Sequence, residues 1–153
     1  MKTSFSKVVS AVIAALAAEP PVCKAIYRAR QAAIPAQDEQ AIVVQWEQAL
    51  PAAGTLQGAP IDWSTRLSVE CYARSTDPND NGDQAVDPLL ASVYERLAEQ
   101  ATLGGIVFDL NVAGIQVETA VDGGRTGWVR IVYDASHRTY GNNLNDHEHG
   151  KDN

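Results

Sequence analysis

The chain has 153 residues, enough for one domain that buries roughly two-thirds of the surface its unfolded form exposes. AVILMFWYC residues make up 45% and charged residues 20%, a balance that excludes both a disordered chain and a membrane-spanning one. Twelve Lys and Arg against 19 Asp and Glu leave a formal charge of -7, which excludes a nucleic-acid binder of the usual basic kind; any contact with DNA is expected to be non-adhesive.

The amino terminus, MKTSFSKVVSAVIAALAAEP, supports two readings. Lys2 and Lys7, the apolar stretch of residues 8–18 and the Ala15-Leu16-Ala17 triplet resemble a secretory signal with its cleavage site. Phe5, Val9, Val12, Ile13 and Leu16, however, fall on one face at helical spacing, with Ser6, Ser10, Ala14 and Ala17 opposite. That pattern predicts an amphipathic helix lying on a sheet and ended by Pro20-Pro21.

Two short β-like runs follow, VCKAIYRAR (residues 22–30) and AIVVQWE (residues 41–47). The uncharged LPAAGTLQGAP (residues 50–60) reads as a long loop. Residues 62–74 give the clearest strand: Trp63, Thr65, Leu67, Val69, Cys71 and Ala73 alternate with Ser64, Arg66, Ser68, Glu70, Tyr72 and Arg74. After the polar STDPNDNGDQAV a second helix is expected, capped by Asp87, with Pro88 at its first position and Leu90, Val93 and Leu97 as its buried stripe.

Gly104 and Gly105 stand between that helix and a burst of β-formers. A phosphate cradle has the reverse order, strand then glycines then helix, so the pair reads as a left-handed closure of the helix with Ile106 opening the next strand. Ile106, Phe108, Leu110 and Val112 share one parity and Ile115 and Val117 the other, which predicts a bulge or bend at Gly114. A turn at Asp122-Gly123-Gly124 leads to a last strand ending near Arg138, in which Val129, Ile131, Tyr133 and Ala135 face the core. The fold class expected is α+β: a two-layer domain over residues 1–139 with a mostly antiparallel sheet of about five strands, two helices on one face, and a disordered polar tail over residues 140–153.

Few residues offer chemistry. Asp77, Asn79 and Asn81 before Gly82 match the first half of an EF-hand loop, but the twelfth position is Pro88 where a Glu is needed; Asp77, Asp80 and Asp83 remain as a docking or divalent-sensitive loop. His147, Glu148 and His149 lie in the expected tail. His137 is the remaining imidazole, placed on the core parity with no GxSxG, HExxH or Cys/His partner pattern, so no catalytic, cofactor-binding or metal residue is assigned and no cofactor is expected. Cys23 and Cys71 carry no CxxC spacing and read as buried thiols. Arg66, Tyr72, Trp128 and Arg130 fall on the non-core parity of two strands; exposed aromatics beside arginine are what contact surfaces enrich, and these four form the expected oligomer or partner patch.

The N-terminal helix, IYRARQAAIPAQDEQAIVV, RLSVECYAR, DPLLASVYERLAEQATLGGIVFDL and VRIVYDASHRT together resemble the tail terminator (tail completion) proteins of long-tailed phages and prophages, a family related in fold to the lambda minor tail protein U. The resemblance spans about residues 3–139. It implies a structural, non-enzymatic role in the virion, at the head-proximal end of the tail: a homo-oligomeric, hexameric ring, assembled in the host cytoplasm, that ends polymerisation of the tail tube protein and offers a surface to a head-completion or connector protein. It implies neither sequence-specific nucleic acid nor membrane as a partner. The competing reading is a small secreted binding module with residues 1–17 removed and Cys23 joined to Cys71.

Overall fold

The computed structural model describes residues 2–29, 38–52, 60–75, 77, 79, 81–119, 126–140 and 143–145. The elements run α1 (Ser4–Ala17), β1 (Ala25–Arg28), β2 (Gln40–Pro51), β3 (Ile61–Arg74), α2 (Gly82–Glu99), a short 3-10 turn (Leu103–Gly105), β4 (Asp109–Thr119) and β5 (Thr126–Thr139). They form one sheet of order β1-β2-β3-β5-β4. Every neighbouring pair is antiparallel except β1–β2. The α+β class and the two helices on one face are as the sequence predicts.

Helix α1 begins at Thr3, whose Oγ1 accepts the Ser6 N–H at 3.3 Å, a cap for one of the donors that a helix start leaves open. Phe5, Val8, Val9, Val12 and Leu16 are buried in it. They pack with Ile42 and Val44 of β2 in a core that continues through Leu67, Val69 and Cys71 of β3 to Val129, Ile131 and Tyr133 of β5. Cutting the chain after Ala17 would strip this whole layer from the sheet. Near the end of α1, Arg96 of α2 donates to the carbonyls of Ala15 and Ala18, both at 2.9 Å, and of Pro20 at 2.5 Å. One guanidinium thus supplies the donors that the helix C-terminus lacks and favours its negative end.

The second helix starts earlier than its proline suggests. Asn81, and not Asp87, holds the N-cap position, and its N–H donates to Gln84 Oε1 at 3.0 Å. Pro88 consequently lies inside the helix. Extending the helix back to Gly82 buries Val86, so the inward stripe is Val86, Leu89, Val93 and Leu97, while Leu90 is only partly covered. Burial of one more valine offsets the hydrogen bond that Pro88 cannot make.

That early start brings α2 hard against β5. A β-carbon on Gly82 would collide with the backbone of Thr126 and Gly127, and one on Gly127 with the backbone of Gly82. Only glycine on both sides permits this approach.

Gly104 and Gly105 do adopt positive φ, +71° and +93°, but in the 3-10 turn beyond the C-cap residue Gln100. The strand then opens at Asp109, not at Ile106. In the irregular stretch between, Val107 is buried while Ile106 and Phe108 are exposed, so the alternation expected from Ile106 onward is broken. The bulge expected at Gly114 is present as a register shift between Val112 and Gly114. Strand β1 is shorter than expected and β2 longer, with a second register shift between Trp46 and Gln48. The turn at 122–124 and most of loop 50–60 and tail 140–153 lie outside the described residues. Of the tail, Leu144 O accepts the Ser4 N–H at 2.8 Å and Asn145 bridges to Thr3.

Gly127→Ala is expected to destabilise the fold by about 2 kcal/mol, the cost of overpacking a tight contact, read as a lower urea midpoint. An unchanged midpoint would show that α2 can lift off β5 freely.

Candidate functional site

The face of the sheet opposite the helices holds the four residues expected as a contact patch. Tyr72 and Trp128 are cross-strand partners, and Arg130 faces Glu70 in the next pair. Arg66 stands apart from them, beyond the Ser68–Val132 pair. Cross-strand neighbours of this kind share a face and touch. The structure therefore brings Tyr72, Trp128 and Arg130 together and leaves Arg66 further along.

The arginines of this face are engaged within the chain. Arg66 grips Asp134 through Nε and NH2 at 3.0 and 3.1 Å, a bidentate pair that raises the guanidinium pKa. Arg130 pairs with Glu47 and donates to Gln116 Oε1 at 3.0 Å. Because Glu47 is on β2 and Arg130 on β5, that ion pair must span β3, where small Ser68 is buried. Arg138 holds Asp62 at 2.6 and 3.2 Å, and this hydrogen bonding lowers the carboxyl pKa; its guanidinium also lies over Phe108, 5.7 Å from the ring centre. Arg74 donates to the Tyr72 hydroxyl at 2.9 Å.

Two carboxylates of the acidic loop lie among the described residues. Asp77 Oδ1 accepts the Asn79 N–H at 2.9 Å, the local turn bonding that Asx residues favour, and Asp83 lies in the first turn of α2, where the helix dipole suits a carboxylate. Asp80, His147, Glu148 and His149 lie outside the described residues. Among the described residues no three His, Cys, Asp or Glu side chains converge as a metal site. His137 is 3% exposed, with Nε2 at 2.5 Å from Thr65 Oγ1 and its ring edge-on to Phe5, so it is a core residue, as its parity predicts. Cys23 and Cys71 are free and buried; burial pushes the Cys71 thiol up to about 12 and raises Cys23. No described helix is long and apolar enough to cross a membrane.

One surface was missed by the sequence reading. Strand β4 is an edge of the sheet, and Val112 (38%), Ile115 (47%) and Val117 (63%) are exposed along it. Their cross-strand partners Tyr133, Ile131 and Val129 are core residues, so all three lie on the helix-bearing side, in a row that α2 does not cover. The bulge makes this row possible: without the extra residue, Val112 and Ile115 would point to opposite faces. Beside Val117, a groove of about 280 Å³ runs between α2 and β4, floored by Val86, Leu90 and Val129, with Asp83 and Asp87 on its helix wall. A long apolar edge strand without lysine or proline is what isolated monomers avoid. Alternation in β4 marks these residues as inward-facing; it cannot show that the inward layer ends before reaching them.

No protein-family profile and no curated protein sequence matches the chain. Among solved structures it is similar to a chain of the "Virion of native gene transfer agent (GTA) particle", at 14% identity and a TM-score of 0.39 over 90% of this chain and 92% of that one. A likeness that loose assigns no role here.

Thiol accessibility checks the interior assigned to Cys23 and Cys71. At about pH 8 neither should react with an aromatic disulfide reagent in the folded protein, and both should react in denaturant. Rapid labelling of one thiol in the native state would contradict their burial.

Proposed function

We propose that the chain is a structural virion assembly protein that caps the phage tail tube as a homo-oligomeric ring, hexameric as in the family it resembles, ending tube polymerisation and offering the head-joining surface. The observation that carries this reading is the bare β4 edge. The fold completes its core, yet among the described residues it leaves two different sheet edges and one apolar row open, and a head-to-tail ring is built from two different surfaces that close by rotation.

Two further features support it. A ring that DNA must pass through is served by a chain of charge -7, which repels phosphates where a basic lumen would grip them. On the outer face, Tyr72 and Trp128 sit beside Arg130, already held by Glu47 and Gln116, and Arg74, which donates to the Tyr72 hydroxyl, and this supports a pre-organised platform for the tube protein or a head-completion protein. The Asp77–Asp80–Asp83 loop is proposed as an element whose carboxylates make assembly sensitive to salt or divalent ions.

Purified protein added to polymerising tail tube protein should bind tube ends as a ring in electron micrographs and shorten the tubes in proportion to its concentration. Trp128→Ala should leave the fold intact and weaken tube or head-protein binding by about 2 kcal/mol if it is a hot spot. Tubes of unchanged length with bare ends would contradict the proposal.

A further inference from the structure

The two edges that the sheet leaves unpaired among the described residues differ in charge as well as in length. β4 carries Asp109 and no described cation, and the groove beside it has Asp83 and Asp87 on its wall, both exposed. The opposite edge, β1, reads Ala25-Ile26-Tyr27-Arg28 and is preceded by exposed Lys24. Arg28 donates to Ser6 and Ser10 of α1, which places its guanidinium on the helix-bearing side, the same side as the β4 groove. Lys24 lines a cavity with Asp38 and Glu39, and Asp38 accepts from the Tyr27 hydroxyl at 2.6 Å on the face opposite the helices. On the helix-bearing face, then, one edge is apolar with an acidic rim and the other is apolar with the cation Arg28.

Strand direction agrees with the charges. β1 runs parallel to β2, and the steps from β2 to β3, β3 to β5 and β5 to β4 each reverse direction, so β4 is antiparallel to β1. Copies related by a rotation axis along the strands keep their direction, and β1 of one copy would meet β4 of the next as an antiparallel pair. A twofold pairing of β4 with β4 would instead set acidic edge against acidic edge, and it closes at two copies.

We infer that β4 is the docking edge for β1 of a second copy of this chain, by strand addition, with Val112, Ile115 and Val117 covered by the neighbour and its Arg28 meeting Asp83 and Asp87. This rests on the ring reading above and specifies its junction. Backbone pairing and burial of the valine row supply the attraction; the charges select β1 over another β4.

The test is sedimentation of the purified full chain over a wide concentration range. Val117→Lys, at a position largely exposed in the single chain, should keep the circular dichroism and thermal midpoint of the wild type while weakening association by about tenfold or more. Arg28→Glu should weaken it too, and so should the Asp83→Lys, Asp87→Lys double variant; combining the swaps should restore association. Restoration requires folded protein, so a folding defect cannot imitate it. A wild type that stays monomeric throughout, a Val117→Lys variant that associates normally, or an Arg28→Glu variant without effect would each overturn the inference, the last pointing to a twofold β4 pair. Association that follows the swaps beside uncapped tubes would sink the tail-capping reading and leave this junction standing. Capped tubes with association indifferent to the swaps would do the reverse.

Discussion

The backbone approach of Gly82 to Gly127 decides where α2 lies, and much of the surface follows from it. With no side chain on either residue, the start of α2 is drawn onto β5, and Val86, Leu89, Val93 and Leu97 join the core over β3 and β5. α1 is docked over β2 and tied to α2 through Arg96. Two helices, each about 10 Å across, cover about four strands spaced at about 4.8 Å. A fifth strand must then lie beyond the layer, and here it is β4. Its exposed valines and isoleucine are thus a geometric consequence of helix placement in an otherwise well-filled core.

The outer face follows a different rule. Its cations are matched within the chain: Arg66 by Asp134, Arg130 by Glu47 and Gln116, Arg138 by Asp62. Exposed pairs of this kind add little stability one by one, but they hold side chains in place and keep the face polar. A polar, ordered face and an apolar, open edge are different instruments. The first suits reversible contact with a different protein, the second a lasting contact that completes the sheet.

Much of this was legible in the sequence because period-2 and helical spacing report burial directly. The spacing of Phe5, Val9, Val12 and Leu16 gave α1, the alternation from Trp63 to Arg74 gave β3, and the parity break around Gly114 gave the bulge. The errors arose where two local signals competed. Pro88 after Asp87 is a strong start signal, yet Asn81 with Gln84 is another, and the burial of Val86 against β5 decided between them, a fact of tertiary packing. Parity likewise assigned Arg66 to the same patch as Trp128, but distance along the strand separates them. The open edge could not be read at all, since strand order within the sheet is what makes β4 the last strand.

The proposed junction requires β4 to be paired in the assembled protein and unpaired in the single chain. Amide hydrogen exchange across residues 109–117, followed in dilute protein and in the proposed ring, measures this directly. Half of the β4 amides point away from β5 and should exchange rapidly in the single chain, then become protected on assembly together with those of residues 25–28. Equal exchange of both segments in the two states would contradict it.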